Sequence, residues 1–261
     1  GVAEVINVVE PGEDSRRILA MTSSRSYGLN QEVGETVLPQ TSTMVGNGAG
    51  SVFKIFTAAA ALEKGYNLES ELDVPTRAVV YGMGEGGARN CPAGAYCVEN
   101  AGSYAPKLTL RDALAQSPNT SFVELIEDVG VEETVDMAVR LGLRSYEDAG
   151  TFDGESSIAD YFRQHNLGSF TLGPTPVNPL ELSNVGATLA SKGMWCEPSP
   201  VEKVVDRQGE EVFIERPQCQ QAVSEDLAAG LAGGMAEDAV SGTAKDAACL
   251  LYTSDSADDF L

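Results

Sequence analysis

One segment constrains the fold of this chain more than any other. Residues 51–65 read Ser-Val-Phe-Lys-Ile-Phe-Thr-Ala-Ala-Ala-Ala-Leu-Glu-Lys-Gly, which is apolar on nearly every side of a helix and ends at a glycine. A helix without a polar face has to be covered by other elements, so we expect it to be buried. A chain of 261 residues is long enough to supply that cover.

The remaining elements follow the order strands, helices, strands. Two strands (6–9 and 17–21) are predicted first, and a late hairpin (201–206 and 211–215) follows a series of helices. Those helices are predicted at 109–116, 122–129, 131–141 and 179–191, with a last one at 225–235, and residues 73–106 are predicted as a loop. This order indicates an α+β fold, in which early and late strands share an antiparallel sheet flanked by a helical cluster.

Charge argues against one class of partner, and hydropathy argues against a membrane-spanning helix within the chain. The net charge is −22, and such an acidic surface repels phosphate backbones, so we expect no nucleic acid partner. No apolar run approaches the roughly 20 residues that a membrane-spanning helix needs. We therefore expect any membrane anchor or export signal to lie outside this sequence.

The five cysteines leave two interpretations open. Neither Cys91 and Cys97 nor Cys196 and Cys219 have the C-x-x-C spacing of zinc or thioredoxin sites, and Cys249 is left over. Two disulfides, 91–97 and 196–219, would suit an oxidising compartment, whereas scattered free thiols are the alternative.

Ser51 and Lys54 lie three residues apart, on one face of the predicted helix. A serine hydroxyl needs a base to become a good nucleophile, and a lysine can serve when burial lowers its pKa. The single histidine, His165, argues against a Ser-His-Asp triad and against most zinc sites. A lone S-x-x-K is nevertheless a weak motif, because a capping serine followed by a solvent-seeking lysine looks the same.

A second motif strengthens this interpretation. Ser117-Pro118-Asn119 is the one S-x-N sequence in the chain, and it falls at a predicted break between helices, where side chains can project into a cleft. An ordinary turn is the alternative explanation for these three residues.

Together the two motifs resemble those of the active-site-serine penicilloyl-enzyme superfamily, whose third motif is K-T-G. The resemblance extends to segments 50–65, 109–122, 172–182 and 187–193, and covers roughly residues 5–248. It is strongest to the transpeptidase half of the bifunctional (class A) penicillin-binding proteins. It implies a β-lactamase/transpeptidase-like fold without a cofactor or a metal.

The resemblance also implies roles for individual residues. Ser51 would be the acylated nucleophile, with its backbone N–H forming half of the oxyanion hole, and Lys54 would accept its proton. Ser117 would relay a proton to the leaving amine. Asn119 would hydrogen-bond the substrate amide and Lys54.

The third motif is where the sequence departs from the family. No K-T-G or K-S-G occurs in the chain, and Val240 stands where the lysine would precede Ser241-Gly242-Thr243. We expect residues 240–245 to end the preceding helix, short of the third motif. Residues 249–261 resemble nothing in the family and are interpreted as an artefact of sequencing, in which adapter sequence has been translated. Residues 1–248 are then a partial transpeptidase domain, incomplete at its C-terminus.

The resemblance implies a D,D-transpeptidase that cross-links peptidoglycan outside the cytoplasmic membrane. Its partners would be a stem peptide ending in D-Ala-D-Ala, an acceptor amine and β-lactam antibiotics. We expect this fragment to be inactive without its third motif. An inactive β-lactam-binding sensor of the same fold is the main alternative, and a β-lactamase, for which no convincing deacylating glutamate is found, comes third.

Overall fold

The computed structural model describes residues 2–247 as a helical cluster with small sheets at its borders. The helices are α1 (Lys54–Glu63), α2 (Leu110–Gln116), α3 (Asn119–Val129), α4 (Val131–Leu141), α5 (Ile158–His165), α6 (Pro179–Ala190), α7 (Glu225–Ala236) and α8 (Asp238–Ser241). The strands are β1 (Val5–Glu10), β2 (Arg16–Ser23), β3 (Glu71–Asp73), β4 (Arg77–Tyr81), β5 (Gly86–Gly87), β6 (Ala95–Glu99), β7 (Lys107–Thr109), β8 (Met194–Trp195), β9 (Pro198–Ser199), β10 (Val204–Val205), β11 (Glu211–Val212) and β12 (Gln220–Gln221).

Helix α1 lies in the core, as its apolar sequence predicts. It packs against α3, α4 and α7, and its four consecutive alanines are buried. The ring of Phe53, just before the helix, contacts the rings of Phe56, Tyr146 and Phe170. Small alanine side chains let neighbouring helices approach closely, while the aromatic cluster fills the space at the start of the helix.

The first two strands form the predicted hairpin. Strands β1 and β2 pair antiparallel, and a late strand, β9, adds to the edge of β2. The predicted late hairpin does not join this sheet, because β10 and β11 pair only with each other. The β2–β9 pairing is parallel and two residues long, with Arg16 opposite Pro198 and Arg17 opposite Ser199. Buried Arg16 ties the hairpin to the end of α6 by donating to Ser191 Oγ and to the carbonyl oxygen of Met194, both at 2.6 Å.

The prediction of an uninterrupted loop across residues 73–106 is wrong. This region contains a three-stranded sheet in the order β4-β6-β5, and it carries the Cys91–Cys97 disulfide. The strands were not predicted because glycines and prolines, which are frequent in this region, usually indicate turns. Strand β5 itself consists of two glycines. Helix α5 was also missed, although Ser157 caps it.

The late elements are close to the prediction. Ser224 caps α7, and the hairpin β10–β11 is shorter than predicted. The second disulfide, Cys196–Cys219, is formed. The predicted tail, 249–261, lies outside the described residues.

Candidate active site

Ser51 lies at the start of the central helix, with an exposed side chain. It belongs to a 3₁₀ turn, Gly50–Phe53, that leads directly into α1 rather than to the regular helix expected there. The turn is held by the loop before α6, because Gly50 N–H donates to the carbonyl oxygen of Gly173 at 3.1 Å. A Cβ atom on Gly173 would lie 2.5 Å from the carbonyl oxygen of Gly50, so only glycine allows this approach.

Lys54 contacts Ser51 from the buried side of the turn, and its side chain is 2% exposed. Its Nζ atom is 3.1 Å from Ser51 Oγ and 5.5 Å from the centroid of the Phe122 ring. Burial lowers the pKa of Lys54 from 10.5 to about 8, since the charged form loses its hydration in this environment. An accessible hydroxyl above a buried amine of lowered pKa is an arrangement suited to nucleophilic catalysis.

Ser117 approaches the same amine from the end of helix α2. Its carbonyl oxygen lies 2.6 Å from Lys54 Nζ, and its Oγ lies 2.8 Å from that atom. Ser117 adopts the left-handed conformation, with φ 61° and ψ 43°, as the C-cap of α2. Such a conformation is unusual outside glycine, and strained backbone is frequent in active sites.

Asn119 begins helix α3 and completes the group. Its Oδ1 accepts a hydrogen bond from Lys54 Nζ at 2.9 Å, while its Nδ2 donates to the carbonyl oxygen of Glu99 at 3.2 Å. The Glu99 contact determines which end of the amide faces the lysine, because a carbonyl oxygen can only accept. The structure therefore brings all four sequence-predicted residues together around the Lys54 amine.

The hydrogen bonds around Lys54 suit its neutral form. A neutral amine has two N–H donors and one lone pair. The Ser117 carbonyl oxygen and Asn119 Oδ1 can only accept, so they occupy both donors. The lone pair is then left for a hydroxyl hydrogen, and two hydroxyl oxygens lie within range, Ser117 Oγ at 2.8 Å and Ser51 Oγ at 3.1 Å.

One contact of the site was missed at the level of sequence. Asn100 Oδ1 accepts hydrogen bonds from the backbone N–H groups of Asn119 and Thr120, at 2.7 and 3.0 Å. The available signal was Pro118, which occupies the N-cap position of α3 and has no side chain able to cap it. A capping partner from elsewhere in the chain was therefore required.

The segment that superficially matches the third motif lies in a helix end and the turn after it. Ser241 ends the short helix α8, and a turn follows in which Thr243 N–H donates to the carbonyl oxygen of Ala115 at 3.1 Å. Val240 and Ser241 thus end a helix as expected, whereas residues 242–244 form a turn and Lys245 is helical again.

Comparisons with known proteins agree with this geometry. Residues 9–254 match the family described as the penicillin binding protein transpeptidase domain. The chain is 29% identical over 211 residues to the peptidoglycan D,D-transpeptidase PbpA of Mycolicibacterium smegmatis, which corresponds to 78% of this chain and 39% of that protein. It is 30% identical over 169 residues to penicillin-binding protein 1A of Haemophilus influenzae, covering 64% of this chain and 17% of the relative.

A solved structure gives the same picture of the fold. The structure of penicillin-binding protein A from M. tuberculosis, a penicillin G acyl-enzyme complex, superposes with a TM-score of 0.68 at 25% identity. The match covers 90% of this chain and 58% of that one. The chain thus spans well under half the length of both curated relatives and little more than half of the solved chain.

Proposed function

The chain belongs to the penicillin-binding protein transpeptidase family, and we propose that it carries most of the acyl-transfer site of a peptidoglycan D,D-transpeptidase. The observation that supports this most directly is the convergence of Ser51, Ser117 and Asn119 on the buried amine of Lys54. We call the longer protein that would contain this chain the parent protein. Its assignment to the bifunctional, class A type is part of the proposal.

In the first step, Ser51 Oγ attacks the carbonyl carbon of the penultimate D-alanine of a stem peptide. The neutral Lys54 amine takes the hydroxyl proton as the new C–O bond forms. The negative charge develops on the carbonyl oxygen, and the backbone N–H of Ser51 is the expected donor to it from this chain.

In the second step, the C–N bond of the D-Ala-D-Ala amide breaks and the terminal D-alanine leaves. Its nitrogen needs a proton, which passes from the Lys54 ammonium through the Ser117 hydroxyl, 2.8 Å away. The acyl group remains on Ser51 as an ester. The amine of a neighbouring peptidoglycan stem peptide then attacks this ester. Its proton passes through Lys54 to Ser51 Oγ as the C–O bond breaks, which restores Ser51 and forms the cross-link.

A β-lactam would undergo attack by Ser51 and cleavage of its C–N bond, but not the final transfer to an amine. Opening of its strained amide leaves an acyl group on Ser51, and the leaving nitrogen stays attached to it. The side chain of Asn119 is held beside Lys54, because its Oδ1 accepts from Lys54 and its Nδ2 donates to the Glu99 carbonyl oxygen. From this position it would hydrogen-bond the amide of either substrate.

The third motif is expected outside the residues that the structure describes. The chain contains no K-T-G or K-S-G sequence, and residues 241–244 lie in a short helix and a turn. We propose that the parent protein supplies this strand, which would bind the substrate carboxylate and complete the oxyanion hole.

The proposed location is the outer face of the cytoplasmic membrane. Two disulfides in one domain favour an oxidising compartment. Within residues 2–247, none of the helices has the length and apolar character required to cross a membrane.

The experiment is acylation of the parent protein by a fluorescent penicillin, followed by mass spectrometry of the labelled peptide. We expect one label on Ser51, loss of that label in Ser51→Ala, and wild-type labelling in the control Ser103→Ala, at an exposed serine. Release of D-alanine from a D-Ala-D-Ala peptide would then separate a transpeptidase from an inactive sensor. Rapid loss of the label would instead identify a β-lactamase.

A further inference from the structure

Helix α3 begins at a catalytic candidate, Asn119, but the residue before it cannot cap the helix. Pro118 stands at the N-cap and makes no side-chain hydrogen bond to the first turn. The first N–H groups of a helix need acceptors from outside it. Asn100, in the segment after β6, supplies one, because its Oδ1 accepts from the N–H groups of both Asn119 and Thr120.

The nitrogen of the same side chain is fixed as well. Asn100 Nδ2 donates to the carbonyl oxygen of Pro75 at 3.1 Å and to Thr120 Oγ1 at 2.8 Å. An asparagine side chain has two acceptor positions and two N–H hydrogens, so all four are engaged within the protein. Asn100 borders a surface cleft together with Thr76 and Tyr104, but its amide has no further hydrogen bond to offer a ligand.

Glu99, the residue before Asn100, fixes the side chain of Asn119. The Glu99 carbonyl oxygen accepts from Asn119 Nδ2, which directs Oδ1 of Asn119 towards Lys54 Nζ. Residues 99 and 100 thus fix both the side chain and the backbone of Asn119. Strand β6, which ends at Glu99, is itself paired with β4 and held at Cys97 by the disulfide to Cys91.

We propose that Asn100 is a positioning residue for acyl transfer: by capping α3 in place of Pro118, it holds Asn119 against Lys54. The inference deepens the proposed function, since the reaction it serves is the acylation of Ser51. If the cap is lost, the start of α3 can shift, and one of the two acceptors that occupy the N–H groups of Lys54 moves with it.

Two substitutions test this role in the parent protein. Asn100→Ala removes the cap, and we expect acylation by the fluorescent penicillin to fall about 10- to 100-fold at every pH, the cost of a displacement of about 1 Å. Asn100→Asp keeps an oxygen acceptor for the N–H groups, because aspartate caps helices as well as asparagine does, but it loses the hydrogen bonds that Nδ2 donates to Pro75 and Thr120. It should therefore restore part of the rate, and only at higher pH.

The pH shift has an electrostatic cause. The described groups in contact with the Lys54 amine are the Ser51 and Ser117 oxygens, Asn119 Oδ1 and the Phe122 ring, and none of them is a carboxylate. A new carboxylate at residue 100, beside the backbone N–H of Asn119, favours the charged form of the lysine. We expect the midpoint of the pH–rate profile to rise by about one pH unit.

Ser157→Ala is the matched control. Ser157 caps helix α5 by accepting from Asp160 N–H at 3.0 Å, and α5 carries none of the four site residues. Its loss should lower stability, as the loss of a helix cap does, and leave both the acylation rate and its pH profile unchanged.

A second measurement separates this inference from the proposed function. The titration of Lys54 Nζ can be followed by ¹⁵N NMR in wild-type protein and in Asn100→Ala, whether or not Ser51 is acylated. Displacement of Asn119 weakens an acceptor that stabilises the charged amine, so a lower midpoint supports the positioning role, and an unchanged midpoint overturns it. Wild-type acylation of Asn100→Ala would also overturn it, whereas an unlabelled wild-type protein would count against the proposed function alone.

Discussion

The amine of Lys54 lies 2.6 Å from the carbonyl oxygen of Ser117, although the two residues are 63 positions apart in the chain. The contact joins the start of α1 to the end of α2, where Ser117 has a left-handed backbone. It links the two sequence motifs through a backbone atom as well as through side chains. A change in the backbone at Ser117 should therefore alter the base as well as the proton relay.

Replacement of Lys54 by alanine should lower acylation by a fluorescent penicillin about 10²- to 10⁴-fold, the usual contribution of a general base. The melting temperature should change little, because burial of an amine is costly and its removal relieves that cost. Lys64→Ala is the control, since Lys64 lies just after α1, is well exposed and pairs with Glu133 at 2.7 Å. Normal acylation of the Lys54 variant would show that another group is the base.

The rate of acylation should depend on pH through the protonation of Lys54. Burial lowers its pKa to about 8, and only the neutral amine can take the Ser51 proton. The rate should rise about tenfold per pH unit below pH 8 and level off above it. Stopped-flow measurements with a chromogenic β-lactam give this profile. A rate that stays constant between pH 6 and 9 would contradict the role of Lys54.

The lowered pKa of Lys54 also predicts how the stability of the protein depends on pH. Because the folded-state pKa lies below the usual 10.5, the unfolded state binds more protons between about pH 8 and 10.5. The free energy of unfolding should therefore rise with pH across that window, relative to Lys54→Met, and show no such slope below it. Urea unfolding of both proteins at pH 7 and pH 10 measures the difference.

The backbone and the hydroxyl of Ser117 can be tested separately. Ser117→Ala and Ser117→Gly both remove the Oγ that lies 2.8 Å from Lys54 Nζ, so both should slow acylation. Glycine adopts the left-handed conformation at φ 61° without strain, whereas alanine does not. The glycine variant should therefore be more stable than the alanine variant by about 1 kcal/mol. Equal stability in thermal unfolding would show that the strain lies elsewhere.

The sequence predicted what depends on local pattern. The burial of α1 followed from a helix with no polar face, and the contact between Ser51 and Lys54 followed from their spacing of three. The approach of Ser117 and Asn119 came only from the family resemblance, because helix packing brings them together across more than 60 residues.

Other features were beyond the reach of pattern. Strand β5 consists of two glycines, whose sequence indicates a turn rather than a strand. Asn100 lies in a loop 19 residues before Asn119, and no spacing rule connects the two. Pro118 indicated that α3 needs a cap from elsewhere, but only the structure identifies the residue that provides it.

The 261-residue chain should itself label weakly with a fluorescent penicillin. The third motif would supply an oxyanion donor and a lysine for the substrate carboxylate, and loss of one such donor typically costs about 10²–10³ in rate. In the described sheet, β1 lies at the edge, and Ile6 and Leu19 are more than half exposed. An uncovered edge and apolar face favour aggregation, so we also expect low stability.

A longer chain that continues through a K-T-G strand should label with penicillin and be more stable than the 261-residue chain. That strand is expected to lie beside Ser51, and its neighbours would cover the apolar face of the hairpin. Labelling should then reach one penicillin per chain, and Ser51→Ala in the longer chain should abolish it. Stoichiometric labelling of the 261-residue chain at Ser51 would refute this expectation, because Ser241, Gly242 and Thr243 would then have to supply the third motif from the turn after α8.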